Sequence, residues 1–187
     1  NRVRHVELSL ERLQRAIAGL APTYAMEIER LGHARIGGDT PADDPTYLAI
    51  IEAGGDPDFI ADADRGAASG HRLAWAVREL GSGDVVGATS YHDIVASLDR
   101  VEIGYTWYSE SYQRTAVNTE CKLLLLEHAF ESLDAIAVEF RTHWHNHKSR
   151  AAIARLGAKQ DGVLRNHQKS ADGVYRDTVV FSIINLE

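Results

Sequence analysis

The sequence predicts an α+β fold, and three observations carry that expectation. Runs of strand composition at Arg72–Glu79, Val85–Tyr91 and Arg100–Tyr108 follow one another across short turns, as in an antiparallel meander. The third run leads through a polar loop into a helical stretch, Thr119–Ser132, and then into a further strand, Ala137–Thr142; this is a β–α–β crossover. The chain closes with two strand-like runs, Lys159–His167 and Tyr175–Ile184, around Ala171-Asp172-Gly173. That is a terminal hairpin.

In chain order, Arg2–Leu8 reads as a short strand, and Leu10, Leu13, Ile17 and Leu20 fall at helical spacing. The region 21–70 holds all four prolines (Pro22, Pro41, Pro45, Pro57). It predicts short helices, Asp44–Glu52 and Asp58–Arg65, joined by loops. Gly81-Ser82-Gly83-Asp84 places glycines where a tight turn needs positive φ. Leu123–Leu126 is apolar all round, which predicts a crossover helix buried on more than one side. A last helix, Ser149–Leu156, ends at a C-cap glycine, Gly157.

At 187 residues the chain is expected to form one domain, 1–187, with a variable region 21–70 and a core 71–185. Apolar residues make up 44% and charged ones 25%, an ordinary globular balance. Net charge is −7 with no lysine run, which argues against non-specific nucleic-acid binding and leaves only a local basic patch open. The same charge mildly favours a cationic substrate. A lone cysteine, Cys121, allows no intrachain disulfide and suits a reducing, cytoplasmic setting; amid helix residues it reads as packing. No stretch approaches the roughly 18 apolar residues of a membrane span, and no signal-peptide pattern is visible. The expected location is cytoplasmic, with no membrane partner.

The most informative stretch is 111–126, Ser-Tyr-Gln-Arg-Thr-Ala-Val-Asn-Thr-Glu-Cys-Lys-Leu-Leu-Leu-Leu, directly after the strand. Strand, polar loop and apolar helix aim the unpaired N–H groups of a helix start at an anion, aided by the positive end of the helix dipole. Gln113-Arg114-Thr115-Ala116-Val117-Asn118 supplies small or turn-tolerant residues, and Thr119 is a suitable N-cap. The plainer reading, that Asn118-Thr119 only caps a helix, stands beside it.

Residues 113–118 also resemble the acyl-CoA signature Gln/Arg-x-x-Gly-x-Gly/Ala of the GNAT N-acetyltransferases, in their RimJ/RimL-type branch. Gln113 takes the first position, and Ala116 and Asn118 replace the two small residues. Asn146-His147-Lys148-Ser149 followed by 151–158 is similar to the family's Asn-x-x-Ser…Leu-Gly segment. Gly162–Arg165 and Asp172–Asp177 are similar to its closing hairpin. The resemblance covers roughly 71–185. It implies a central, mostly antiparallel mixed sheet of about seven strands flanked by helices. It also implies direct acetyl transfer from acetyl-CoA, without metal, to a primary amine in a ternary complex. The acceptor would be a protein N-terminus or a small-molecule amine; a homodimer is compatible with the family. A methyl at Ala116 would be strained if its φ were positive, so either affinity falls or the loop is reshaped.

By the same resemblance Glu102 is the candidate base for the amine. Strand alternation puts it on one face with Gly104 and Thr106, opposite Ile103, Tyr105 and Trp107. The alternative is a solvent-facing glutamate paired with Arg100. A backbone N–H near Trp107 or Tyr108 would hold the oxyanion. Ser149 would protonate the departing thiolate, with Tyr108 and Tyr112 in reserve, or else it simply caps the last helix. The cofactor-contacting set is then Trp107, Tyr108, Gln113, Arg114, Thr115, Ala116, Val117, Asn118, Thr119, Asn146, Lys148 and Ser149. Asn146 would meet the pantetheine arm, with Lys148 or Arg150 near phosphate.

His143, His145 and His147 would face one way on an extended segment, a spacing able to bind zinc or, alternatively, to line the acceptor cleft. Trp75 and Trp107 read as core. Arg165, His167, Arg176 and Asp177 sit on the hairpin, which in the family borders the acceptor site or a dimer interface. A different class of function, a non-catalytic acyl-CoA sensor on the same fold, remains as the alternative.

Overall fold

The computed structural model describes residues 26–30, 45–79 and 81–187. Alternation of apolar and polar residues builds seven strands: β1 (Met26–Arg30), β2 (Arg72–Glu79), β3 (Val85–Val95), β4 (Arg100–Tyr108), β5 (Ala137–His143), β6 (Lys159–Lys169) and β7 (Tyr175–Ile184). They form one sheet in the order β1-β2-β3-β4-β5-β7-β6. Every neighbouring pair is antiparallel except β4–β5, which is parallel. The expected mixed sheet of about seven strands, with its meander, crossover and hairpin, is what forms. The expected strand at Arg2–Leu8 and helix at Leu10–Leu20 lie outside the described residues.

Alternation along β2 divides the core. Ala74 and Ala76 pack with Ile50, Ile60 and Ala63 of two helices, α1 (Pro45–Glu52) and α2 (Pro57–Ala68). Leu73, Trp75 and Val77 point the other way, toward α3 (Val117–Glu127) and α4 (His147–Arg155). There Tyr91, Ile103, Val138 and Phe140 meet Leu125, Leu126, Ile153 and Leu156. Each of these large side chains contributes about 1.5–3 kcal/mol by leaving water.

Helix starts correct the sequence reading. Asp56 caps α2, its carboxylate accepting from the Asp58 N–H at 2.9 Å, with Pro57 at the first turn. Helix α3 begins at Val117, two residues before the expected cap, so Thr119 lies inside the first turn and caps nothing. Helix α3 is buried on more than one side, as expected, though not all round. Val117, Cys121 and Leu125, with Lys122 and Leu126, form its sheet-facing stripe, while Leu124 is 41% exposed.

The expected single helix to Ser132 instead ends in a π-helical turn, His128–Ser132. The Tyr91 hydroxyl donates to the Leu125 carbonyl and accepts from the Ala129 N–H. It therefore sits inside the i→i−4 ladder and displaces the bond those two groups would share. Strand β1 was not expected. Met26-Glu27-Ile28-Glu29 does alternate, but the surrounding prolines masked the signal.

Candidate active site

Parallel pairing of β4 and β5 covers Arg100↔Ala137, Val101↔Val138 and Glu102↔Glu139, and stops there. Both strands continue, to Tyr108 and His143, so their facing edges part into a wedge. Backbone N–H and C=O groups on those edges have no ladder partner, and an extended chain bearing amides fits such an opening.

A bulge on β4 aims the side chains around the wedge. Ser90 pairs with Gly104 and Ala88 with Trp107, so Tyr105 and Thr106 together oppose Thr89. Tyr105 adopts a φ of 49°. The bulge reverses the alternation that the sequence implied. Tyr105 joins Glu102 and Gly104 on the α2 side, and Thr106 turns to the α3 side, where its hydroxyl meets Lys122 and Thr89.

Glu102 is 4% exposed, at the floor of a cavity of about 730 Å³. It is therefore not a solvent-facing glutamate, and Arg100 pairs with Glu139 instead. Its Oε1 lies 3.4 Å from His92 Nε2 and its Oε2 lies 3.3 Å from Arg141 Nε, the latter without hydrogen-bond alignment. Burial raises the Glu102 pKa to about 7; nearby Glu139 and Asp93 push the same way, while the Arg141 side chain and N–H oppose. Burial likewise lowers His92 to about 4, helped by the positive charges of Arg72, Arg141 and Lys122. At neutral pH the site thus holds a neutral imidazole beside a carboxyl poised near its midpoint. Gly104 is required here, since a Cβ at that position would overlap the His92 imidazole.

Arg72 stiffens one wall. Its guanidinium lies between the Phe59 and Tyr105 rings, 4.5 and 3.9 Å from their centroids, and pairs with Asp62 at 2.6 Å. His92 meets Tyr105 edge-on at 4.8 Å. Arg141 reaches Glu139 at 3.1 Å and Asp93 at 3.6 Å. None of His92, Arg72 and Arg141 was singled out from the sequence, because strand residues give no local hint of what lies across the sheet.

The loop after β4 runs through a 3₁₀ turn, Glu110–Tyr112, into the start of α3. Positive φ falls on Arg114 (63°), while Ala116 is helical at φ −67° and ψ −23°. The condition for strain at Ala116, a positive φ, is not met, so its methyl costs nothing in backbone energy. Gln113 Nε2 donates to the Tyr108 carbonyl at 3.3 Å, and the Thr115 hydroxyl to the Tyr112 carbonyl at 2.7 Å. The N–H groups of Arg114, Thr115, Ala116 and Asn118 take no backbone acceptor among the described residues, leaving donors free at the helix start.

Across the wedge, α4 is capped by Asn146, whose Oδ1 accepts from the Ser149 N–H at 3.0 Å. Asn146, not Ser149, is the cap. Lys148 is exposed and Ser149 half-buried, while Arg150 folds back over Trp144, 4.5 Å from the ring centroid. Arg155 Nη2 donates to Thr119 Oγ1 at 3.4 Å, linking α4 to the first turn of α3. Trp107 packs beside Phe59 and Ile50, with its ring 6.3 Å from Phe59. The Tyr108 hydroxyl is buried against Cys121, which pushes its pKa far up and keeps it off the Glu102 cavity. Burial raises the Cys121 thiol to about 11, as suits a packing residue.

The three histidines do not lie on one extended segment, although the His143 and His145 rings are 5.4 Å apart. His143 ends β5, its Nδ1 accepting from the His145 N–H at 2.9 Å, and His147 opens α4. Among the described residues no group of three or more His, Cys, Asp or Glu is arranged to hold a metal. No described helix is long and apolar enough to cross a membrane.

Lys122 also escaped the sequence reading. It is 5% exposed, and its Nζ donates to Thr89 Oγ1 at 2.9 Å and Thr106 Oγ1 at 2.6 Å. Burial lowers its pKa to about 7. A signal was available: Lys122 falls on the sheet-facing stripe, four residues before Leu126.

Residues 35–159 match the family model described as acetyltransferase (GNAT) domain. The chain is 29% identical over 108 residues to a Bacillus subtilis (strain 168) protein named "Putative ribosomal N-acetyltransferase YdaF"; the match covers 58% of each, so the chain spans little more than half of that relative's length. Among solved structures, a protein described as one of the "probable acetyltransferases (GNAT family)" of Chromobacterium violaceum ATCC 12472 superposes with a TM-score of 0.71 at 26% identity, over 86% of this chain and 83% of that one. A "putative acetyltransferase" of T. thermophilus does so with a TM-score of 0.59 at 30% identity, over 74% of this chain and 80% of that one. With its fold, its wedge and this match over more than half its length, the chain belongs to the GNAT acetyltransferase family.

Proposed function

We propose that the protein transfers the acetyl group of acetyl-CoA to a primary amine in a ternary complex, with Glu102 as the base. One observation carries this: a buried carboxyl of raised pKa lies where β4 and β5 part, at the floor of a cavity open to an acceptor. Acetyl-CoA would supply the activated acyl group. In the loop Gln113 to Thr119 the free N–H groups of Arg114, Thr115, Ala116 and Asn118 would hold its phosphates, and the open edges of β4 and β5 would take its amide arm, with Asn146, Lys148 and Ser149 opposite. The departures at Ala116 and Asn118 do not argue against this, because neither imposes strain.

An amine enters the cavity as an ammonium and must lose a proton before it attacks. Glu102 takes that proton, directly or through one water. The amine nitrogen forms a bond to the thioester carbon and a β4 N–H near Trp107 stabilises the oxyanion; as the carbon–sulfur bond breaks, the nitrogen gives up its remaining extra proton, which replaces the one the thiolate takes. Ser149 is the donor to the departing thiolate that best suits the site, since the Tyr108 hydroxyl is buried elsewhere. The Bacillus subtilis relative is named a ribosomal N-acetyltransferase, which supports a ribosomal acceptor beside small amines.

Amine-dependent CoA release across a panel of peptides and small amines tests the proposal. Activity should appear with at least one acceptor and fall by roughly 100-fold or more in Glu102→Gln, the scale of general-base catalysis. Acetyl-CoA binding without any amine-dependent release would favour the sensor role.

A further inference from the structure

The cavity above Glu102 carries a charge opposite to that of the chain. The protein has a net charge of −7, yet four arginines line this space (Arg65, Arg72, Arg141, Arg176) against three carboxylates, Asp62, Asp93 and Glu102. Pairing sharpens the imbalance. Arg72 is engaged by Asp62, by Ser90 Oγ at 3.1 Å and by two aromatic rings. Arg141 is engaged by Asp93, Glu102 and Glu139. Among the described residues Arg65 reaches only Asp62, at 3.5 Å, a carboxylate already held by Arg72 at 2.6 Å. Arg176, near the start of β7, pairs with no carboxylate among the described residues; its Nη2 donates to the neutral side-chain oxygen of Gln168.

Two arginines of the lining, Arg65 on α2 and Arg176 on the β6–β7 hairpin, are thus left with positive charge to spare. Concave low-dielectric walls concentrate such a field. A guanidinium fork suits a carboxylate or phosphate, which it can meet with two parallel hydrogen bonds. A second cation in the acceptor would instead face Arg65 and Arg176 as like charges. The volume, about 730 Å³, suits a small molecule.

We propose that the acceptor is a small amine that also bears an anionic group, a carboxylate or a phosphate, with its amine at Glu102 and its anion held by Arg176 and Arg65. The inference rests on the acetyltransferase reading of the same cavity, and it runs against the cationic acceptor that net charge alone favoured.

The experiment measures CoA release with ω-amino carboxylates from glycine to 6-aminohexanoate and with the matching aminoalkyl phosphates. Alkylamines of equal length, 1,4-diaminobutane and a peptide with a free N-terminus serve as comparisons. The expected result is a kcat/KM at least tenfold higher for the anionic amines. Arg176→Gln should raise their KM at least tenfold more than it raises that of the alkylamines. Arg65→Gln, on an exposed side chain, is the second variant and should act in the same direction. Whichever of carboxylate and phosphate gains more identifies the anion. Preference for alkylamines, the diamine or the peptide would overturn the anionic acceptor and leave the acetyltransferase reading standing. So would a loss in Arg176→Gln that is equal for every amine. No turnover of any amine by protein that binds acetyl-CoA would overturn both.

Discussion

Glu102 and Lys122 are both buried ionisable groups, and their pH dependences run in opposite directions. The Glu102 carboxyl has its pKa raised to about 7, so its ionised form is the one the fold disfavours. That penalty opens as pH rises from the ordinary carboxylate value and is complete above about 7. Glu102→Gln should therefore be more stable than the parent at pH 8, by about 2 kcal/mol or less in chemical denaturation, with the gap closing near pH 5. Its activity should nevertheless be lost. In the parent, kcat/KM should rise about tenfold per pH unit below 7 and level off above, as a base requires. The Lys122 amine is lowered to about 7, so its charge is disfavoured below that pH, and the penalty fades as pH climbs toward the ordinary lysine range. Lys122→Met should be more stable than the parent at pH 6, by about 2 kcal/mol, and no more stable near pH 10; equilibrium denaturation at the two pH values decides this. Little of this was legible in the sequence. Glu102 could be named, but its partners His92 and Arg141 come from neighbouring strands, and no local pattern reports a cross-strand meeting.

Elements were easier to read than their junctions. Strands Arg72–Glu79 and Arg100–Tyr108 and the terminal hairpin follow period-two alternation set by turn glycines, and they formed where the sequence placed them. Junctions depend on single residues acting at a distance. The β4 bulge, with Tyr105 at φ 49°, swaps the faces of everything after Gly104, and no residue type announces it. The end of α3 depends on Tyr91 from a different strand. Tyr91→Phe removes the hydroxyl that replaces a helix hydrogen bond and should cost about 1–2 kcal/mol in chemical denaturation. At the start of α3 the strained position is Arg114 rather than Ala116. Arg114→Gly should be neutral or stabilising by up to about 1 kcal/mol, whereas Ala116→Gly should destabilise, because only the first has a left-handed φ to relieve.

For the molecule as a whole, the proposed function depends on the interruption of the sheet between β4 and β5. The β4–β5 ladder ends at Glu102↔Glu139, which leaves a wedge between the two strands and a cavity on the α2 side, with the carboxyl at their junction. The crossover was visible in the sequence; the parting of its strands was not, because it is a property of two segments separated by a helix. Hydrogen exchange should show β4 amides between Gly104 and Tyr108 gaining protection when acetyl-CoA is added, with little change in β6 and β7. The most direct test is calorimetric titration of the protein with acetyl-CoA, repeated for Glu102→Gln and Ala116→Glu. Micromolar binding should survive Glu102→Gln and be lost in Ala116→Glu. Absence of binding to the parent protein would contradict the acetyltransferase reading, whatever the fold.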